Sequence, residues 1–91
     1  MRRKNFEVYM LQCSNGELYT GYTGNLERRV EVHNKGKGSR FTRSRTPVRL
    51  VYSEKYKSRR EAMRRERQLK RKTRKEKMEL ISKRPRSPET I

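Results

Sequence analysis

The sequence predicts an α+β fold, a three-stranded antiparallel β-sheet flanked by helices in the order β-β-α-β-α-α. Two short runs of β-favouring residues flank an Asn-Gly turn, a third run follows Pro47, and two helix-capping patterns precede the last helical segments. At 91 residues the chain has room for one small domain. We assign this domain to residues 1–83. A disordered basic tail is expected at 84–91, because the stretch Lys83–Pro88 has no apolar side chain to bury.

The first two strands are expected to form a hairpin. Residues that favour strands concentrate at Phe6–Cys13 and again at Leu18–Thr23, and Asn15-Gly16 lies between them. Asn-Gly in this position is the strongest short-range hairpin signal, because both residues tolerate positive φ. The two strands should therefore pair in antiparallel fashion.

A helix should follow the hairpin. Asn25 is a good N-cap, and Leu26, Val30 and His33 recur after it at the spacing of one helical face. Gly36 suits the end of this helix. The pattern places His33 in line with the apolar side chains.

The third strand is expected after a basic loop. The stretch from Gly36 to Thr46 is rich in glycine and arginine and should be mobile. Val48, Leu50 and Tyr52 then recur at every second position, which indicates a strand running to about Tyr56.

Two capping boxes predict the last two helices. Ser58–Glu61 and Thr73–Glu76 each place a hydroxyl at the N-cap and a carboxylate three residues later, so that side chains satisfy the free N–H groups of the first turn. We expect helices near 59–71 and 74–83.

Charge indicates the class of partner. Lys and Arg total 27 against 10 Asp and Glu, a formal net charge of +17, and the excess is concentrated between Lys57 and Arg86. Such a charge favours nucleic acid, because neutralised phosphates release condensed counterions. The alternatives are a solvated helix surface or one attracted to a membrane. The basic segment, however, offers few apolar contacts and no aromatic residue after Tyr56.

Residue counts exclude other classes of protein. No apolar run is long enough to cross a bilayer, and the basic N-terminus lacks the apolar stretch of a signal peptide, so we expect a cytoplasmic protein with no membrane partner. The chain has one cysteine, Cys13, which we expect in the core, and one histidine, His33. An internal disulfide and a Cys/His zinc site are therefore excluded, and any metal must be held by oxygen.

One carboxylate lies in an apolar row. Ala62, Glu66 and Leu69 fall at i, i+4 and i+7 in the first of the last two helices. A buried charge normally needs a cation, a metal or several donors as partner. The alternative is an ordinary surface pair between Glu66 and Lys70 at i+4.

The pattern alone does not assign roles to the other polar residues. His33 fits a packed, hydrogen-bonded histidine as well as a catalyst, and Arg29, one turn before it, fits a phosphate clamp or a surface group. The tyrosines are expected to cover the sheet or to stack on bases, and they are Tyr9, Tyr19, Tyr22, Tyr52 and Tyr56.

Four segments together resemble the GIY-YIG nuclease superfamily, in particular its small stand-alone members. They are Val8–Leu11, Leu18–Thr23, Asn25–Val30 and His33-Asn34, and the resemblance extends from about Phe6 to Ile81. The first motif has Glu where the family name has Gly, the second has Thr for Ile, and a late asparagine found in some members has no match.

The resemblance implies a site. Tyr9 and Tyr19 match the tyrosines of the two motifs, and Gly21 matches the glycine of the second. The other matches are the catalytic arginine at Arg29, the position of His or Tyr at His33, and the metal-binding glutamate at Glu66.

The same resemblance implies a divalent-metal-dependent endonuclease that hydrolyses phosphodiester bonds in DNA and is directed by structure rather than sequence. Mg²⁺ (or Mn²⁺) would be held by Glu66, water and substrate oxygens. Arg29 would offset negative charge on the phosphate, and Tyr9, Tyr19 or His33 would position or deprotonate the water. Which of these three is the base stays open at this point.

Nucleic acid is the expected partner, with DNA favoured over RNA. Its candidate contacts are the basic residues Arg40, Arg43, Arg45, Arg65, Lys70, Arg71 and Lys72. One alternative is a non-catalytic basic module that binds DNA or RNA with the same fold. Another is a subunit whose protein partner supplies specificity.

The two motif tyrosines also constrain the hairpin. For Tyr9 and Tyr19 to share a face of the sheet, paired residue numbers must sum to an even value, which a two-residue loop forbids. We therefore predict a loop of three or five residues with Gly16 in a left-handed conformation.

Overall fold

The computed structural model describes residues 5–83 and confirms the predicted α+β class. The strands form an antiparallel sheet in the order β2-β1-β3, with β1 in the centre. The elements are β1 Phe6–Gln12, β2 Leu18–Thr23, α1 Leu26–Asn34, α2 Arg40–Arg43, β3 Arg49–Tyr56, α3 Arg59–Lys70 and α4 Arg74–Lys83. The tail expected at 84–91 lies outside the described residues.

The hairpin has the geometry that the tyrosines required. Tyr9 pairs with Gly21, so the paired residue numbers sum to an even value. Residues 13–17 connect the strands, and a hydrogen bond of 2.8 Å from Cys13 N–H to the Glu17 carbonyl narrows the turn to the three residues between them. Gly16 has a φ of +91°. The predicted loop length and the left-handed glycine are confirmed.

Helices cover both faces of the sheet. Successive side chains of the central strand point to opposite faces, so the strand contributes to two separate cores. One core packs against α3 and α4 and contains Val8, Met10, Val51, Tyr52, Ala62 and Leu69. The other packs against α1 and α2 and contains Tyr9, Leu11, Cys13 and Val48. Cys13 is a buried core residue, as expected.

Helix α1 begins and ends where the sequence predicts. The Asn25 side chain accepts a hydrogen bond of 3.1 Å from Arg28 N–H at the first turn. At the other end Gly36 has a φ of +80°, and its N–H donates to the carbonyl of His33. This left-handed ending leaves His33 in the last turn of α1, with its ring buried.

The end of α1 is fastened to the start of β3. The Asn34 side chain accepts a hydrogen bond of 2.7 Å from Val48 N–H and donates one of 3.1 Å to the Val48 carbonyl. One amide therefore satisfies both polar groups of a buried backbone position.

The expectation of a mobile loop between Gly36 and Thr46 is wrong, because this segment contains α2. The Ser39 side chain caps α2 by accepting from Thr42 N–H at 3.1 Å, and Thr42 itself is buried. Phe41 stacks on Tyr19, with the ring centroids 6.1 Å apart. These contacts with distant residues order a stretch whose local composition favours a loop.

Helices α3 and α4 begin at the predicted capping boxes. Glu61 N–H donates to Ser58 Oγ at 3.2 Å. Thr73 and Glu76 bond reciprocally, each side chain accepting from the other residue's N–H at 3.1 and 2.9 Å.

A buried carboxylate joins β3 to α3. Glu54 accepts hydrogen bonds from the hydroxyls of Tyr52 and Tyr56 and two from the Arg65 guanidinium, at 2.9 and 3.1 Å. Burial alone would raise the pKa of Glu54, but the hydrogen bonds from Arg65 and the two tyrosines lower it below its ordinary value.

Within residues 5–83 no helix is long and apolar enough to span a membrane.

Candidate active site

The two motif tyrosines and the single histidine form an aromatic cluster on the face of the sheet that α1 covers. The ring centroid of Tyr19 lies 5.0 Å from that of His33 and 6.4 Å from that of Tyr9. Gly21 lies directly beneath this cluster, since a Cβ there would be 2.7 Å from the Tyr9 hydroxyl and 3.2 Å from the Tyr19 ring. The cluster therefore requires glycine at position 21.

A chain of hydrogen bonds leads from Tyr9 into α2. The Tyr9 hydroxyl lies 3.0 Å from His33 Nε2, and His33 Nδ1 lies 2.8 Å from Thr42 Oγ1. Thr42 Oγ1 lies 3.0 Å from Ser39 Oγ. His33 thus has a partner on each ring nitrogen, one at the sheet and one in α2.

Arg29 approaches the same cluster from α1. Its Nη2 donates to the Gly38 carbonyl at 2.9 Å, which holds the half-buried guanidinium in place. Burial raises the pKa of Tyr9 to about 12; the nearby Arg29 opposes this rise, and the charges of Tyr19 and Glu66 reinforce it. Tyr9 is therefore a protonated phenol at neutral pH that interacts with groups from β2, α1 and α3.

The surroundings of His33 favour its neutral form. Burial lowers the pKa of the imidazole, and the positive charge of Arg29 lowers it further. A neutral imidazole has one nitrogen that donates and one that accepts, so it can take a proton from a neighbouring hydroxyl.

Glu66 forms the pair with Lys70 that was one of the two interpretations of its position, and its carboxylate is also largely buried. Its Oε2 lies 3.2 Å from Lys70 Nζ, which is the expected i,i+4 pair, and its side chain is only 16% exposed against 53% for Lys70. Glu66 also acts electrostatically on Tyr9, because α3 packs against β1 and β2. Helix α3, which carries Glu66, thus packs against the two strands that carry Tyr9 and Tyr19.

The donor set suits one hard cation. Within residues 5–83 no three acidic, histidine or cysteine side chains gather into a metal-binding group. Glu66 would supply one carboxylate, and the remaining ligands would be water and phosphate oxygens, as is usual for Mg²⁺ beside phosphate groups. Lys70 is the cation that such a metal would compete with.

Comparison with known proteins assigns the family. The model of the GIY-YIG catalytic domain matches residues 5–79. The chain belongs to the GIY-YIG family. This is a nuclease family whose members act on nucleic acids and generally use divalent metal ions.

Relatives of this GIY-YIG domain cover most of its length. A UPF0213 protein of Streptococcus agalactiae is 53% identical over 74 residues, which is 81% of this chain and 84% of the relative. A UPF0213 protein of Clostridium perfringens is 51% identical over 75 residues, 82% of this chain and 81% of the relative.

Two solved structures, both determined by solution NMR, have the same fold. The UPF0213 protein BH0048 from Bacillus halodurans has a TM-score of 0.56 at 45% identity, covering 86% of this chain and 83% of that one. The protein EF2693 from E. faecalis has a TM-score of 0.60 at 37% identity, covering 90% and 88%.

The candidate nucleic-acid contacts of the GIY-YIG domain fall into two groups. Arg45, Arg65 and Lys70 already have carboxylate partners, so their charges are less available to a phosphate; the partners are Glu17 at 2.8 Å, Glu54 at 2.9 Å and Glu66 at 3.2 Å, respectively. Arg45 also lies over the Phe41 ring. The others lie on exposed or half-buried surface of α2 and just after α3, and they are Arg40, Arg43, Arg71 and Lys72.

Gly38 and Thr42 are part of the site, although the sequence analysis assigned them no role. A Cβ at position 38 would overlap the His33 ring, so the backbone of Gly38 lies directly against the imidazole. The spacing from Ser39 to Thr42 is that of a capping residue and its N3 partner, and it could have predicted α2. No local signal connects Thr42 to His33.

Proposed function

We propose that this GIY-YIG domain is a divalent-metal-dependent endonuclease that hydrolyses phosphodiester bonds in DNA. The observation that carries the proposal is the convergence on Tyr9 of three groups from other elements. His33 hydrogen-bonds to the phenol, while Arg29 and Glu66 act on it electrostatically. A neutral imidazole, a guanidinium and a single carboxylate around one phenol are the groups that water activation and phosphate binding require.

Tyr9 and His33 together are proposed to deprotonate the attacking water. A phenol whose pKa is about 12 is too weak an acid to be ionised at neutral pH. Tyr9 therefore takes a proton from water only as its own proton passes to Nε2 of His33. The products of this transfer are hydroxide, which attacks phosphorus, and an imidazolium that carries both protons.

Arg29 and Glu66 are proposed to act on the phosphate. The planar guanidinium of Arg29, fixed by the Gly38 carbonyl, offsets the negative charge that develops on the phosphate oxygens. A Mg²⁺ or Mn²⁺ ion held by Glu66 supplies Lewis-acid stabilisation of the leaving oxygen when bound.

The charge of the chain supports recognition of DNA by shape. Exposed Arg40 and Arg43 on α2 and Arg71 at the end of α3 offer phosphate contacts, which fix position on a duplex without reading its sequence. We therefore propose that branched, flapped or nicked DNA is preferred to an intact duplex, and DNA to RNA.

A second candidate function is binding of DNA or RNA without cleavage. The observation in its favour is the ion pair of Glu66, whose carboxylate is already compensated by Lys70 at 3.2 Å. A site that remained in this state would bind phosphates but hold no metal.

Cleavage assays on a panel of DNA shapes distinguish the two functions. The full chain is incubated with branched, flapped, nicked and intact DNA in Mg²⁺ or Mn²⁺, together with Glu66→Gln and a control, Glu79→Gln, which makes the same change at an exposed position of α4. We expect cleavage by the wild type and the control, and none by Glu66→Gln, which should still bind DNA. Salt-dependent binding without cleavage of any substrate would refute the endonuclease and support the second function.

A further inference from the structure

Thr42 provides the only hydrogen bond that residues 5–83 offer to Nδ1 of His33. Its Oγ1 lies 2.8 Å from Nδ1, 3.0 Å from Ser39 Oγ and 3.4 Å from the Ser39 carbonyl oxygen. Both His33 and Thr42 are fully buried, so water does not complete these bonds. The partners therefore determine which ring nitrogen carries the proton.

Counting the donors and acceptors around His33 favours the tautomer with its proton on Nδ1. The Thr42 hydroxyl has a single proton, and the Ser39 carbonyl can only accept. If Thr42 donates to Ser39, its oxygen accepts from Nδ1–H, and Nε2 accepts the proton of the Tyr9 hydroxyl. Every buried donor in the chain of hydrogen bonds then has an acceptor.

The other tautomer, with the proton on Nε2, leaves the hydroxyl of Tyr9 without an acceptor. If Thr42 donates to Nδ1, then Nε2 carries the proton and donates to Tyr9. Within the described part of the chain the Tyr9 hydroxyl has no other acceptor at hydrogen-bond distance, and Tyr9 is buried. A buried hydroxyl without an acceptor costs about 1–3 kcal/mol.

We propose that Thr42 is a positioning residue that holds His33 in the tautomer with its proton on Nδ1. This leaves Nε2 free to accept the proton of Tyr9. Gly38 packs its backbone against the same imidazole, since a Cβ at this position would overlap the ring. The importance of the tautomer for cleavage rests on the proposed function, but the tautomer itself does not.

Nitrogen NMR of the full chain tests the tautomer directly. His33 is the only histidine, so a long-range ¹H–¹⁵N spectrum of the labelled protein shows a single imidazole. We expect the wild type to show a protonated Nδ1 and an unprotonated Nε2. A wild-type spectrum with the proton on Nε2 would overturn the proposal, and this result needs no variant.

Three substitutions identify Thr42 as the cause. Thr42→Val replaces the hydroxyl by a methyl group and leaves Nδ1–H without an acceptor, so the fraction of the Nδ1–H tautomer should fall, whereas Thr42→Ser should keep the wild-type spectrum. Thr20→Val is the matched control, because Thr20 is also buried but its hydroxyl has no partner within residues 5–83. An unchanged spectrum in folded Thr42→Val would show that other groups set the tautomer. If that variant is unfolded, a wild-type spectrum retained by Thr42→Ser supports the proposal and a changed one contradicts it.

Kinetics connect the tautomer to cleavage. We expect Thr42→Val to lower kcat by about 100-fold or more with unchanged DNA affinity, because the wrong tautomer of a catalytic imidazole can cost as much as about 10⁴. Thr42→Ser should recover most of this activity. If the wild type cleaves nothing, the proposed function fails while the NMR result still decides the tautomer.

Discussion

The hydroxyl of Tyr9 and Nε2 of His33 lie 3.0 Å apart, joining the central strand to the last turn of α1 across 24 residues of sequence. This hydrogen bond distinguishes Tyr9 from Tyr19, whose ring contacts the same imidazole but whose hydroxyl has no hydrogen bond within residues 5–83. Similar sequence motifs thus place two tyrosines in different chemical positions.

Replacing each tyrosine by phenylalanine should separate their roles. Tyr9→Phe removes the hydroxyl that we propose passes a proton to His33, and we expect kcat for DNA cleavage to fall by about 100-fold or more. Tyr19→Phe keeps the ring that packs on His33 and should have the smaller effect. Single-turnover cleavage of the preferred substrate measures both rates, and equal reductions would contradict the assignment.

Alanine at Gly38 and alanine at Gly16 should both lower stability, but only the first should affect cleavage. Gly38→Ala places a Cβ in the His33 ring, and we expect it to destabilise the protein by about 1–3 kcal/mol and to reduce cleavage. Gly16→Ala introduces no contact within 4 Å but requires a φ of +91°, which costs about 1–2 kcal/mol. Urea unfolding measures both costs. Cleavage should fall in Gly38→Ala and remain at the wild-type rate in Gly16→Ala, and a wild-type rate in Gly38→Ala would contradict tight packing at the imidazole.

The depressed pKa of Glu54 predicts a decrease of stability in acid. A carboxyl whose pKa is lower in the folded than in the unfolded state stabilises the fold above its unfolded pKa, about 4.3, and this effect disappears as the pH falls through the folded value. Glu54→Gln should lower the free energy of unfolding at pH 7 by about 2 kcal/mol. The difference from wild type should shrink below about pH 4. Unfolding curves measured against pH test this, with exposed Glu79→Gln expected to follow the wild type.

Basic residues with and without carboxylate partners should behave differently. Arg40→Gln and Arg71→Gln remove exposed charges and should weaken DNA binding on every sequence, reducing the slope of log affinity against log salt by about one for each phosphate that is no longer neutralised. Arg65→Gln instead breaks the pair with Glu54 and should lower stability more than affinity. Titrations at several salt concentrations, together with thermal unfolding, separate the effects. If the slope of log affinity against log salt changes as much in Arg65→Gln as in Arg40→Gln and Arg71→Gln, Arg65 also binds phosphate.

Local signals were sufficient to predict most of the fold. The hairpin follows from Asn15-Gly16, and the limits of the helices follow from Asn25, Gly36 and the two capping boxes, because turn and cap geometry depends on residues within one turn of chain. Helix α2 was missed because its local signal is a single cap, Ser39 with Thr42, in a stretch rich in glycine and arginine, and its other contacts, such as Phe41 with Tyr19, form only in the folded chain.

The candidate site was predicted only as a set of positions. Pattern placed Glu66 in an apolar row, and the structure gives it both the Lys70 pair and an influence on Tyr9. The sequence pattern could not predict which carboxylate pairs with an arginine. Arg65, for example, forms its ion pair with Glu54 only when α3 packs against β3. Family resemblance supplied the roles that charge and periodicity left open.

The double hydrogen bond between Asn34 and Val48 fixes the two ends of the segment 35–47. Because the end of α1 and the start of β3 are joined at this one position, insertions or exchanges within the segment need not alter the distance between helix and strand. Arg40 and Arg43 can therefore be replaced without disturbing the fold, provided that Gly38 and Thr42 keep their contacts with the imidazole.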